Sequence, residues 1–97
     1  MRNFRALNVW QDAIKLVKEI YLLTKALPQT EKFGLISQMQ RCAISIPVNI
    51  PEGCGKNSNK DFARFLQISL GSIYELETHL ILCSDLGFVV KSQLNPC

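Results

Sequence analysis

Apolar residues recur every three or four positions along this 97-residue chain, and that spacing constrains its fold more than any other feature. The first stretch carries two such rows side by side. One row holds Ala13, Leu16, Ile20, Leu23 and Leu27. The other holds Trp10, Ile14, Val17 and Tyr21. Because residues three and four apart share a face of an α-helix, the stripe predicts an amphipathic helix of the kind that packs in bundles.

Two further stripes follow, and the chain divides into three predicted helices. They span about residues 8–27, 31–53 and 60–86. Pro28 ends the first helix, because proline restricts the residue before it to extended conformations. A run of helix-breaking residues over 53–59 separates the second helix from the third. The pattern predicts a single all-α domain over residues 1–97, an antiparallel helical bundle.

Two prolines interrupt the second stripe. Pro47 has no N–H and crowds the carbonyl of Ala43, and Pro51 does the same to Pro47. Each costs about 3 kcal/mol in a straight helix. We therefore expect a kink or an early end of this helix between residues 46 and 53.

The composition is that of a globular protein, with 47% hydrophobic and 20% charged residues. Uncharged windows are far shorter than the roughly 20 residues of a membrane span. The N-terminal segment has early arginines but no apolar core of a signal peptide. These features predict a cytoplasmic protein without a membrane segment.

The cysteines and the single histidine give no metal-binding motif. Cys42, Cys54, Cys83 and Cys97 are too far apart for a C-x-x-C pair, which predicts no zinc site. Cys42 and Cys83 lie on apolar helix faces, as buried free thiols do. We find no cysteine or acidic residue near His79 at the spacing of a metal-ligand pair or a catalytic triad. We therefore expect His79 to lie at the surface or in an interface.

The loop over residues 53–59 superficially resembles a phosphate-binding loop. The Walker pattern needs a glycine five residues before Gly55 and a serine or threonine after Lys56, but Ile50 and Asn57 stand there. With no cofactor loop and no nucleophile–base pair, we predict a protein that is not an enzyme and has no cofactor.

Basic residues gather at or near the junction of the second and third predicted helices. They are Arg41, Lys56, Lys60 and Arg64. Such a cluster can bind nucleic-acid phosphates, since their neutralisation releases counterions. The plainer interpretation is a solvated basic end that Glu52 and Asp61 offset, because no aromatic residues interleave with the cations. The net charge of +3 does not by itself decide between them.

Several polar residues lie in or beside the apolar stripes and are candidates for structural pairs. They are Arg41, Asn49, Glu52 and Glu77. Glu75 and Glu77 do not form an acid–base pair, because residues two apart do not share a helix face. A buried or interfacial pair of Arg41 with Glu77 would fix helix register more than it would add stability.

Motifs over most of the chain resemble a known family. They read VWQDAI, IYLLTKALP, EKFGL, Q-x-x-R-x-A-x-SIP-x-NI-x-EG-x-GK and F-x-RFL-x-I-x-x-GS-x-x-ELET. They are similar to the proteins encoded within intervening sequences of bacterial 23S ribosomal RNA, also known as four-helix-bundle proteins. The resemblance covers about residues 4–88. It implies an up-down four-helix bundle that forms a ring, commonly a pentamer. It also implies a fold like that of a basic retroelement accessory protein, which binds nucleic acid and a reverse transcriptase.

The chain departs from the family pattern in two places. Only nine residues follow Phe88, too few for a fourth helix as long as the others, so we expect that helix to be truncated or missing. Pro51 stands where the family usually has a small residue that favours a helix. A bundle lacking one helix exposes an apolar groove.

The first hypothesis is a non-enzymatic homo-oligomer that binds RNA or DNA. The alternatives are an adaptor whose protein partner occupies the groove, and a truncated family member without a selected function.

Overall fold

The computed structural model describes residues 3–88, and the chain is all-α within that range. Helix α1 spans Asn8–Thr24, α2 spans Leu35–Cys54 and α3 spans Asn59–Asp85. Two short 3₁₀ turns occupy Phe4–Ala6 and Gln29–Glu31. Residues 3–88 contain no strand, so the all-α part of the predicted fold class is confirmed. The predicted loss of a fourth helix concerns residues 89–97, which lie outside the described range.

The helix ends differ from the prediction where local backbone bonds compete with the helix. The spacing of Asn8 and Gln11 predicts a variant of the capping box, but helix α1 begins at Asn8 without a side-chain cap. The Gln11 side chain donates to the Arg5 carbonyl at 3.0 Å instead. Helix α2 begins at Leu35 rather than near residue 31, because a 3₁₀ turn occupies Gln29–Glu31 and residues 32–34 form a further turn, in which the Gly34 N–H donates to the Glu31 carbonyl.

Helix α2 continues through both prolines and ends at Cys54, so the early end expected before residue 53 does not occur. The face of α2 that carries Ile46 and Ile50 is almost completely buried. Burying one such aliphatic side chain stabilises the fold by about 1.5–3 kcal/mol, which is comparable to the cost of a proline. Tertiary packing therefore holds the helical path that local propensity disfavours.

Both ends of α3 follow their sequence signals. The Ser58 hydroxyl accepts a hydrogen bond from the Asp61 N–H at 3.1 Å, as a helix N-cap does. At the other end Gly87 has a φ of 77°. The N–H groups of Gly87 and Phe88 donate to the carbonyls of Ser84 and Cys83 at 3.1 and 2.9 Å. These bonds form a Schellman motif, in which glycine accepts the left-handed conformation without steric cost.

Helix α2 packs against both other helices, and its contact with α3 is close. Ser69 meets Ile46, whereas the earlier residue Met39 meets the later residue Cys83, so the two helices run in opposite directions. A Cβ atom added at Gly53 would lie 2.9 Å from the Phe65 Cβ atom. Glycine at this position therefore permits the helix ends to approach.

The core lies mainly between α1 and α2 and between α2 and α3. Its buried members are Ala13, Ile20, Leu27, Met39, Cys42, Ala43, Ile46, Leu76 and Cys83. Apolar side chains of the three stripes differ in exposure: Ile50 is fully buried, Ile73 is exposed, and Trp10 and Ile14 are half-buried. The described helices thus cover part of the apolar stripes and leave the rest accessible.

Candidate functional site

The basic residues predicted to bind phosphates do not form one surface. Lys60 and Arg64, one helical turn apart on α3, line a shallow hollow of about 560 Å³ together with Asp61. Arg41 is exposed on α2, and Lys56 is exposed in the loop. Neither of these two lines the hollow. Two of the four predicted cations and one carboxylate therefore share this hollow at the start of α3.

Lys56 has a different neighbour. Its Nζ atom lies 5.2 Å from the centroid of the Phe65 ring, which is within the range of a cation–π contact. This contact links the loop to the first turns of α3, and it gives Lys56 a structural role beside any role in binding.

The polar residues predicted to pair lie apart. Arg41 and Glu77 are both exposed, and the ion pair found within residues 3–88 joins His79 to Glu75 instead. The Asn49 amide donates to the Ser45 carbonyl of its own helix at 2.7 Å. A buried Arg41–Glu77 pair is therefore not formed within this chain.

An apolar groove runs between α1 and α2 beside the first 3₁₀ turn, with a volume of about 570 Å³. Its lining residues are Phe4, Trp10, Ile14, Val17, Lys18, Ile44, Pro47, Val48, Pro51 and Glu52. The Phe4 and Trp10 rings stack edge to face, with centroids 5.3 Å apart. Both prolines of α2 thus face the groove, where the helix lacks two backbone hydrogen bonds.

A polar seam lies within the α2–α3 contact. Ser69 donates to the Ile46 carbonyl at 2.9 Å, and the hydroxyls of Ser45 and Ser72 are hydrogen-bonded to each other. The Cys42 thiol donates to the Ser72 carbonyl, with Sγ and O 2.9 Å apart. These bonds satisfy small polar groups at a close helix contact, so they fix how α2 and α3 align along their length.

His79 continues this seam, so the surface position, one of the two positions expected for it, is wrong. Only 8% of its surface is exposed, because α3 turns this side chain towards α2. Its Nε2 atom lies 3.2 Å from Oε2 of Glu75, four residues earlier on the same helix face. Its Nδ1 atom is buried and has no hydrogen-bond partner. The side chains of Cys42, Glu75 and His79 form a group able to hold a metal ion.

Comparison with protein families gives a match over almost the whole chain. The profile of the 23S rRNA-intervening sequence protein family matches residues 5–97. The chain belongs to this family. Comparison with curated proteins gives no match. Membership confirms the resemblance carried by the sequence motifs.

No helix of this family member within residues 3–88 is both long enough and apolar enough to cross a membrane.

The Cys42 thiol of this family member is strongly perturbed. Burial raises its pKa to about 11, and the Glu75 carboxylate adds to this rise through its charge and a hydrogen bond. A hydrogen bond from the Leu76 backbone acts in the opposite direction and lowers the pKa. Burial also raises the pKa of the Cys83 thiol. The thiol of Cys42 is thus protonated at neutral pH and can act as a hydrogen-bond donor.

This raised pKa predicts a loss of stability in alkaline solution. In the unfolded chain the thiol releases its proton near its ordinary pKa of about 8.5, whereas the folded chain holds it until about pH 11. The contribution of Cys42 to stability is therefore complete below about pH 8.5 and falls as the pH rises towards 11. Urea unfolding at pH 8 and pH 10.5, with a chelator present, measures this loss. The loss should be smaller in Cys42→Ala, and equal losses in both proteins would contradict the assignment.

Part of this seam could have been found in the sequence. Glu75 and His79 stand four residues apart, which places them on one face of any helix that contains both. Cys42 comes from a different helix, 33 positions before Glu75, and its approach follows from the alignment of α2 with α3. Spacing along the chain does not predict that Cys42 lies close to Glu75 and His79.

Proposed function

We propose that this family member is a non-enzymatic assembly protein that packs against further copies of itself through the outer face of α3. The observation that carries the proposal is an exposed apolar row on that helix. Leu70, Tyr74 and Ile81 are 47%, 62% and 51% exposed. Large side chains of this kind gathered on one face mark contact surfaces in soluble proteins.

Helix geometry places this row away from the contact with α2. At about 100° per residue, Leu70, Tyr74 and Ile81 fall within roughly 40° of one another. The buried residues Leu76 and Cys83 lie on the other side of the helix axis. Helix α3 is therefore apolar on two faces, of which α2 covers one. A helix that is apolar on both faces is typical of one that is buried on both.

The proposal also includes the number of packed helices and the symmetry of the assembly. An up-down four-helix arrangement requires a further helix beside the three described, and the outer face of α3 and the groove between α1 and α2 are two places for it. A contact that uses two different surfaces of each copy is heterologous and closes into a ring when its rotation permits. A ring, commonly a pentamer, is also what the family resemblance implies.

Light scattering at micromolar concentration tests the assembly. The wild-type chain should form a multimer, and the double variant Tyr74→Glu, Ile81→Glu should be monomeric, because two carboxylates would be desolvated at the contact. Leu22→Glu is the matched control, since Leu22 is 65% exposed but lies on α1. That variant should remain a multimer.

A monomeric wild-type chain with a cooperative melt would overturn the assembly proposal. It would leave the outer face of α3 or the groove to a different protein, which is the adaptor hypothesis. A multimer that survives the Tyr74→Glu, Ile81→Glu substitutions would place the contact elsewhere and would equally contradict the role of this face.

A second function, RNA binding, is supported by the shared hollow of Lys60 and Arg64. Replacing both by alanine should weaken binding of single-stranded RNA. It should also flatten the slope of log affinity against log salt by roughly 0.7 for each phosphate that is no longer neutralised. The control is the double variant Lys15→Ala, Lys25→Ala, which removes two exposed positive charges, one in α1 and one at the residue that follows it. Equal weakening in both double variants would show a general charge effect and contradict a site at the hollow.

A further inference from the structure

We propose that Cys42, Glu75 and His79 form a binding site for a single cation of the Zn²⁺ type between α2 and α3. The sulfur, carboxylate oxygen and imidazole nitrogen of these residues lie within 4.8 Å of one another. Cysteine, histidine and glutamate all bind zinc in proteins. Neither the assembly surface nor the basic hollow includes these three residues, so the site is independent of the proposed function.

The pair on α3 is close to coordination geometry. The Glu75 Oε2 and His79 Nε2 atoms are 3.2 Å apart. Around a tetrahedral ion with bonds of about 2.0–2.2 Å, two ligand atoms stand about 3.3–3.6 Å apart. Only a small adjustment of the two side chains is therefore needed to receive an ion. Their positions are set by the helix, which makes the pair a rigid half of the site.

Cys42 supplies the ligand from the other helix. Its thiol now donates to the Ser72 carbonyl, with Sγ and O 2.9 Å apart. Coordination would exchange this hydrogen bond for a sulfur–metal bond and release the thiol proton to solvent. Since α2 and α3 each contribute ligands, the ion would join the two helices at the middle of their contact.

The buried imidazole provides a second, independent indication. His79 is only 8% exposed, and its Nδ1 atom is buried without a hydrogen-bond partner. An unsatisfied buried polar atom costs about 1–3 kcal/mol and calls for a reason. Coordination through Nδ1 would satisfy it while Nε2–H keeps its bond to Glu75, the arrangement common in zinc proteins. Coordination through Nε2 would make Glu75 a direct ligand. Both modes require Cys42 and His79 as ligands.

The ligand types select the cation, and exposure gives it access. Thiolate and imidazole favour Zn²⁺ over Mg²⁺ and Ca²⁺, which take oxygen ligands. The Glu75 side chain is 61% exposed, so one side of the group is open to water. Water can complete the coordination on that side. When His79 binds through Nε2, the site has the composition of a zinc centre with three protein ligands and one open position.

Titration of the reduced, chelator-treated full chain with Co²⁺ tests the proposal. Thiolate coordination gives a sulfur-to-cobalt absorption band in the near ultraviolet, and the band should saturate at one equivalent. Zn²⁺ should displace the cobalt and abolish the band. Mg²⁺ should leave it unchanged.

Three variants assign the ligands, with far-ultraviolet circular dichroism to check folding. Cys42→Ser should lose the band. Glu75→Gln, a change on the exposed side, should weaken cobalt affinity at least tenfold, which keeps the test decisive if Cys42→Ser does not fold. Cys83→Ala should keep the band, since that buried thiol bonds to the Met39 sulfur at 3.6 Å instead. Absence of the band in the wild-type chain, its survival in Cys42→Ser, unchanged affinity in Glu75→Gln, or its loss in a folded Cys83→Ala would overturn the proposal.

Discussion

Replacing Leu76 by alanine should lower the free energy of unfolding by roughly 2–5 kcal/mol. Leu76 is only 2% exposed and belongs to the core cluster shared by the three helices. The loss combines the transfer free energy of the removed methyl groups with the cavity left behind, which close helix packing prevents from collapsing. Urea unfolding at fixed protein concentration measures it, because assembly makes apparent stability depend on concentration.

Leu22→Ala is the matched control for this change. It removes the same atoms from a side chain that is 65% exposed on α1, so its effect should stay within about 0.5 kcal/mol. A loss below about 0.5 kcal/mol for Leu76→Ala itself would mean that the buried face of α3 has been assigned wrongly.

Pro51→Ala should raise the free energy of unfolding by about 1–3 kcal/mol. Pro51 lies inside α2, four residues after Pro47, and alanine would restore an N–H able to donate to the Pro47 carbonyl. The gain is reduced by about 0.4–1 kcal/mol, because the unfolded chain becomes more flexible without proline. Pro51 is only half-buried at the groove, so the substitution sacrifices little packing. Thermal and urea unfolding of the variant measure the difference.

Pro28→Ala is the control for the proline effect. Pro28 precedes a 3₁₀ turn with φ −59° and ψ 139°, a backbone conformation that proline favours, so its removal should destabilise slightly. If Pro51→Ala leaves stability unchanged or lowers it, then α2 has already relieved the proline clash by bending.

The sequence predicts most of the backbone, because the helices depend on local signals. Apolar stripes of helical spacing locate α1, α2 and α3 to within a few residues. Ser58 and Gly87 bound α3 as expected, since N-capping and left-handed glycine depend on neighbouring residues alone. The persistence of α2 through Pro47 is different, because it depends on burial of the face that carries Pro47 itself, together with Ala43 and Ile50.

The candidate sites were predicted less completely, because they depend on which faces meet. Lys60 and Arg64 line one hollow because they are one turn apart on α3, whereas Arg41 lies on α2 and does not line it. The prediction of a surface or interface position for His79 uses only spacing along the chain, so it misses the burial of this side chain between α2 and α3. The position opposite it on α2, Cys42, follows only from the alignment of the two helices.

The short connection between α2 and α3 has a consequence for the order of folding. Only residues 55–58 separate the two helices, and the Ser69–Ile46 contact closes a loop of 23 residues. Contacts between residues near in sequence cost little loop-closure entropy and form on microsecond timescales in helical proteins. The α2–α3 hairpin is therefore suited to be the nucleus of the folding transition state, with α1 docking afterwards. In a chain under synthesis, α1 would then leave the ribosome first and remain unpaired until its partner helices had emerged.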